Sequence, residues 1–403
     1  MCSMVIDDDE FDASLSGARS IAKRPIAKGG MASRASSMHR STRVCVANAR
    51  CASRRAHRSV VKMMSSSSSS SSSSATPSAL STPRKKSIAV VTGANTGIGY
   101  ETVKALLASG AYDEIVLACR DERKARDAAA RLSVEAANAN ANDDGTTTTT
   151  TTTTKLTVEA LDLACLDSVR ACADALNARA ANSGIDALIL NAGVMAVPNF
   201  VPTTDGFELQ VGVCHLGHYA LTARVMPALE RAAAQRGEAR VVTVSSEAHR
   251  IATKGVSRDD FFGRRAYSAW GQYGQAKLAN VLFAFELARR CARKNNGVTS
   301  SVLHPGAVDT ELGRYLQPED GDVKWWQKAL YDFIRTNFLK TPAQGAETSV
   351  FLAHGVADGA STSGKYYADC KEKAVAKPAL SETDAEWLWA RSAELTGATF
   401  DSL

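Results

Sequence analysis

The sequence predicts an α/β protein: a doubly wound parallel sheet forming a single domain, preceded by a disordered N-terminal extension. Three observations predict it. From residue 87 onward, short apolar runs alternate with helical patterns, the order that buries parallel strands under helices on both faces. The first run ends in a glycine cluster that opens a helix. Residues 1–86 are rich in Arg and Ser, a composition of low hydrophobicity and like charge that cannot offset the entropy of ordering.

The elements follow in chain order. Residues 87–92 (SIAVVT) are a first strand and residues 98–109 a helix. Residues 114–119 are a second strand, followed by a charged helix from Asp121. Strands are then expected at 156–163, 185–190 (IDALIL), 240–245 (RVVTVS) and 298–303, with helices between. Leu278, Val281, Leu282 and Phe285 are spaced to line one helix face. One domain, 87–403, accounts for the pattern, with residues 136–155 (nine consecutive threonines at 146–154) read as a loop insertion.

Charge divides the 403-residue chain. Residues 1–86 carry 15 Lys/Arg and 5 Asp/Glu, whereas the remainder has 33 basic and 37 acidic side chains. The basic excess therefore belongs to the extension, which argues against nucleic acid as a partner of the folded part. No apolar run has the length of a membrane-spanning helix. Nine scattered cysteines, with no C-x-x-C pair, predict a reducing compartment and no metal site. His215 and His218 are read as packing residues.

No Asp or Glu occurs between Ala13 and Tyr100, and ten serines occupy 65–74. Such an N-terminus is expected of an organelle transit peptide. The Met-Ala-Ser at Met31 points to the plastid (chloroplast), with the mitochondrion as second choice. Asp7, Asp8, Asp9 and Glu10 are atypical, so translation starting at Met31 is an alternative to Met1.

Chemistry concentrates at four places. Thr92-Gly93-Ala94-Asn95-Thr96-Gly97-Ile98-Gly99 lies between a strand and a helix, where glycines let a pyrophosphate approach backbone N–H groups at a helix N-terminus. Cys119 takes the place at the end of strand two where an NAD-binding fold puts an acid. Arg120 follows it, suited to the 2′-phosphate of NADP. Ser246 follows strand five, and Tyr273 and Lys277 stand at i and i+4, on one face of a helix. An ammonium near the phenol is expected to lower its pKa and make Tyr273 a general acid/base. Tyr367 and Lys371 share that spacing but are read as a strand end. Finally, His304-Pro305-Gly306 ends strand six at the sheet edge where such folds bind ligands.

In this order the motifs resemble the short-chain dehydrogenase/reductase family across essentially all of 87–403, with a Rossmann-type sheet. The phrases at 206–222 (GFELQVGVCHLGHYALT), 273–290 and 304–316 look like retinol-dehydrogenase-type reductases, and equally like the plastid-envelope dehydrogenase linked to protein import. Protochlorophyllide reductase is a related branch, echoed in ACRD, but its longer insertion before the tyrosine is not seen between Ser246 and Tyr273.

The resemblance implies an NADP(H)-dependent enzyme interconverting a lipophilic carbonyl, such as a retinal-like or isoprenoid aldehyde, and its alcohol. Gly93, Asn95, Thr96, Gly97, Ile98 and Gly99 would hold the phosphates and Arg120 the 2′-phosphate. Asp162 and Leu163 would meet the adenine, and Asn191, Ala192 and Gly193 the ribose region. Pro305, Gly306 and Thr310 would lie at the nicotinamide. Tyr273 would pass the proton, Ser246 orient the carbonyl, and Lys277 bind nicotinamide ribose and tune Tyr273.

Cys214 stands where the family usually has Asn, and it supplies a weaker hydrogen bond. Three outcomes are open: a rewired proton relay, slow turnover, or a nucleotide-sensing partner protein at an organelle membrane. Residues 323–340 carry Trp326, Leu330, Phe333, Ile334 and Phe338 at helical spacing. They are read as a lid, with peripheral membrane contact as the second reading.

Overall fold

The apolar runs assemble into one sheet in the computed structural model, which describes residues 86–141, 154–308, 339–355 and 361–403. The elements are β1 (Ile88–Thr92), α1 (Gly97–Ser109), β2 (Glu114–Cys119), α2 (Glu122–Ala141), β3 (Lys155–Ala160), α3 (Leu166–Arg179) and β4 (Ala187–Leu190). They continue with a short turn α4 (Leu209–Val211), a π-helical turn (Gly212–Leu216), α5 (Gly217–Arg236), β5 (Ala239–Val244), α6 (Ala269–Lys294) and β6 (Val298–Leu303). The chain closes with α7 (Pro342–His354), β7 (Tyr366–Ala368), β8 (Lys371–Glu372) and α8 (Glu382–Thr396).

The strand order is β3-β2-β1-β4-β5-β6-β7-β8. Neighbours from β3 through β7 pair in parallel, and only β7 and β8 pair antiparallel. The order reverses between β1 and β4. Ligands of open α/β sheets bind outside the carboxyl ends of the strands at such a switch point.

Burial follows the two-residue period of a strand. Val90, Leu188 and Val241 pack with Val169, Tyr219 and Leu278 beneath α3, α5 and α6. Their neighbours Val91, Ile189 and Val242 pack with Val103, Leu132 and Leu352 beneath α1, α2 and α7. Leu278, Val281 and Leu282 face the first of these layers as the spacing predicts, and Phe285 packs against its edge.

Two expectations change. The third strand stops at Ala160 instead of running to residue 163, because its partner β2 ends at Cys119, opposite Ala160. Asp162 and Leu163 are thereby released into the turn beyond the sheet. The expected loop 136–155 is shortened at both ends. Ala-rich sequence extends α2 to Ala141, and Lys155 pairs with Glu114 in β3. Tyr367 and Lys371, read as a strand end, lie on the two strands of the β7–β8 hairpin, whose turn residues Asp369 and Cys370 have φ of 52° and 56°.

The expectations for residues 1–85, 142–153 and 323–338, and for Thr310, lie outside the described residues.

Candidate active site

The turn after β1 is built to exclude side chains. Gly93 takes a φ of +64°, and a Cβ there would meet Ala192 at 3.0 Å. A Cβ on Gly99 would lie 2.3 Å from the Gly93 carbonyl oxygen and 2.6 Å from Asn191 Nδ2. The first turn of α1 is thus drawn against the loop. Thr96 makes no side-chain cap and no acid occupies that turn, which leaves the helix N-terminus suited to an anion.

A cleft of about 370 Å³ opens above this turn. Gly93, Asn95, Thr96, Gly97, Ile98 and Gly99 form its floor. Arg120, Asp162, Leu163, Asn191, Ala192 and Gly193 line it as well. Sequence reasoning missed Lys124, Leu161, Val194, Leu209 and Val213, which also line it. Lys124 carried a readable signal: it lies in the first turn of α2, four residues past Arg120. Neither cation has an ion-pair partner among the described residues. Asp121, the acid between them, accepts the Lys124 backbone N–H at 3.0 Å. That bond, with the Lys124 and Arg123 charges, holds its carboxyl below the usual range.

Behind Arg120, burial pushes the Cys119 thiol up to about 11, against the pull of the Ala94, Asn95 and Gly93 N–H groups. Asp162 Oδ1 accepts the Ala164 N–H at 2.9 Å, which fixes the turn after β3. Asn191 Nδ2 donates to the Thr92 carbonyl at 2.9 Å, tying the turn after β4 to the one after β1.

Further along the sheet edge, β5 and α6 bring together the second group. Ser268 caps α6 through the Gly271 N–H, setting Tyr273 and Lys277 one turn apart. Each is 3% exposed. Lys277 Nζ donates to the Val244 carbonyl at 3.2 Å and stands 5.6 Å from the Tyr273 ring centre. Ser245 Oγ donates to the Lys277 carbonyl at 2.8 Å, and Ser246 Oγ accepts the Ala248 N–H at 3.2 Å.

The π-helical turn carries Cys214, whose thiol donates to the Val194 carbonyl at 3.5 Å. A Cβ on Gly193 would lie 3.4 Å from this sulfur and 3.6 Å from Lys277 Nζ, so both stand beside Gly193 of the cleft. Pro305 and Gly306 follow β6 at the same edge, with Gly306 at a φ of +90°.

The expected lowering of the Tyr273 pKa is reversed overall. Burial of the phenol raises it, and the Lys277 charge and the Ser246 hydroxyl pull it down only in part. Desolvation disfavours the phenolate more than one ammonium favours it.

His215 and His218 are buried and hydrogen-bonded, to Ser392 Oγ at 2.8 Å and Thr92 Oγ1 at 2.9 Å. Among the described residues, no group of three His, Cys, Asp or Glu could hold a metal ion, and no helix is long and apolar enough to cross a membrane.

Comparison with known proteins identifies the family. The family model for short chain dehydrogenases matches residues 87–321. Retinol dehydrogenase 14 from Homo sapiens is 38% identical over 309 residues, covering 76% of this chain and 85% of that protein. Retinol dehydrogenase 11 from Homo sapiens is 38% identical over 325 residues, covering 80% and 89%. The crystal structure of an uncharacterized protein from Mycobacterium Paratuberculosis aligns with a TM-score of 0.56 at 32% identity, over 78% of this chain and 94% of that one. The chain belongs to the short-chain dehydrogenase family and is an oxidoreductase similar to retinol dehydrogenases.

Proposed function

We propose that this chain interconverts a lipophilic carbonyl and its alcohol with NADP(H), using Tyr273 as general acid/base. One observation carries the reading: a buried phenol, flanked by an ammonium and a serine hydroxyl, sits beside a cleft whose floor excludes side chains. The cleft suits a dinucleotide, because its glycine turn and helix N-terminus favour phosphate and Arg120 and Lys124 both line it. When bound, the nicotinamide supplies or accepts the hydride.

The protein's own residues do the rest. Ser246 orients the substrate oxygen, and Tyr273 gives its phenolic proton to that oxygen during reduction. Lys277 stabilises the phenolate left behind. Arg120 and Lys124 favour the cofactor bearing a 2′-phosphate. A retinal-like or isoprenoid aldehyde is the proposed substrate class, supported by similarity to retinol dehydrogenases. Residues 1–86 are proposed to direct the chain to the plastid, on their acid-poor Arg/Ser composition.

The test is NADPH oxidation by the full chain against retinal-like, fatty and small aldehydes. Turnover confined to the lipophilic members supports the reading. Equal turnover of small polar aldehydes removes the substrate class.

A further inference from the structure

We propose that His218 is a positioning residue that couples the Asn191–Ala192 wall of the nucleotide cleft, through Thr92, to the turn carrying Cys214, with one hydrogen bond at each ring nitrogen. This rests on the reading that the cleft holds a nicotinamide nucleotide beside a catalytic Tyr273.

The tautomer follows from the partners. His218 Nδ1 lies 3.1 Å from the Cys214 carbonyl oxygen. A carbonyl only accepts, so Nδ1 carries the hydrogen. Nε2 of the neutral ring is then an acceptor, and its partner is Thr92 Oγ1 at 2.9 Å. Thr92 Oγ1 also accepts the N–H groups of Asn191 at 2.9 Å and Ala192 at 3.0 Å. With its acceptor side filled, the hydroxyl hydrogen goes to His218, since the alternative acceptor, the Ile189 carbonyl, is farther at 3.4 Å. Burial and the Lys277 charge hold the ring neutral, with its pKa pushed down to about 4.

A single directed chain results. It begins at the Asn191 and Ala192 amides in the cleft wall, passes through Thr92 and the ring, and ends on the Cys214 carbonyl. The Cys214 sulfur and Lys277 Nζ both border Gly193 in that same wall. His218 itself is 2% exposed and lies behind the site. It therefore acts by holding both ends in register.

Two substitutions separate the two bonds in the full-length chain. His218→Asn keeps a short amide donor for the Cys214 carbonyl and cannot reach Thr92. His218→Gln reaches Thr92 and gives up the Cys214 carbonyl. The dissociation constant for NADPH is read by nucleotide fluorescence. Turnover at saturating NADPH is read with the best aldehyde among all-trans-retinal, decanal and benzaldehyde.

His218→Asn should weaken NADPH about tenfold and leave turnover near wild type, the effect of one lost buried hydrogen bond. His218→Gln should show the opposite split. Thr92→Val gives an independent check: it also strips the Asn191 and Ala192 amides of their acceptor, and combined with His218→Asn it should weaken NADPH no more than Thr92→Val alone, because the link to His218 is already broken. Equal losses in both parameters for both variants, or full additivity with Thr92→Val, would overturn the proposal. A wild-type chain that binds no NADPH overturns the reading of the cleft, and this inference with it. A wild type that binds NADPH and turns over no aldehyde overturns the catalytic end of the coupling.

Discussion

Lys277 Nζ stands 5.6 Å from the centre of the Tyr273 ring, and both residues are almost fully buried on one face of α6. The contact works against burial, which raises the phenol's pKa. Removing the charge in Lys277→Met should raise that pKa further and reduce the phenolate at any given pH. The alkaline rise in alcohol oxidation should then move to higher pH. A pH–rate profile checks this, and an unmoved profile would separate Lys277 from Tyr273.

Arg120 and Lys124 both line the cleft. Arg120→Ala and Lys124→Ala should each weaken NADPH about tenfold, the scale of one charge-assisted hydrogen bond, and barely affect NADH. Titration of each variant with both nucleotides reads this. Equal losses for the two would remove the 2′-phosphate assignment.

The Cys214 thiol makes a long 3.5 Å contact to the Val194 carbonyl. An amide donates a stronger hydrogen bond than a thiol. Cys214→Asn should therefore raise turnover severalfold without changing NADPH affinity. If the wild type binds NADPH and turns over only after this change, the nucleotide-sensing alternative takes the lead.

His215 and His218 give a stability prediction. Burial lowers their pKa values to about 3 and about 4, against an ordinary 6.5. Below pH 6.5 the unfolded chain binds protons that the folded chain refuses, so stability falls as pH falls toward 4. At pH 5 each residue should cost about 2 kcal/mol relative to neutral pH. Thermal unfolding at pH 7 and pH 5 should show a clear drop in midpoint, and a flat profile would contradict the buried neutral rings.

Much of this was legible in the sequence because strands buried on both faces read as apolar runs. The sixth strand, at Val298–Leu303, matches its expected bounds, and the residues singled out after β1, β2 and β4 line one cleft. What was missed depends on tertiary pairing. The end of β3 is set by the length of β2, which no local pattern reveals. The direction of the Tyr273 shift needed burial, which residue spacing alone does not measure. The Thr92–His218–Cys214 link joins residues 126 positions apart at its long step and has no local signature.

In the proposed reaction Tyr273 passes the proton. The most direct measurement compares the wild-type chain with Tyr273→Phe, reading NADPH binding and aldehyde-dependent NADPH oxidation on the same preparations. Binding should be unchanged and turnover should fall by about 10²–10⁴. Full turnover by Tyr273→Phe would contradict that role.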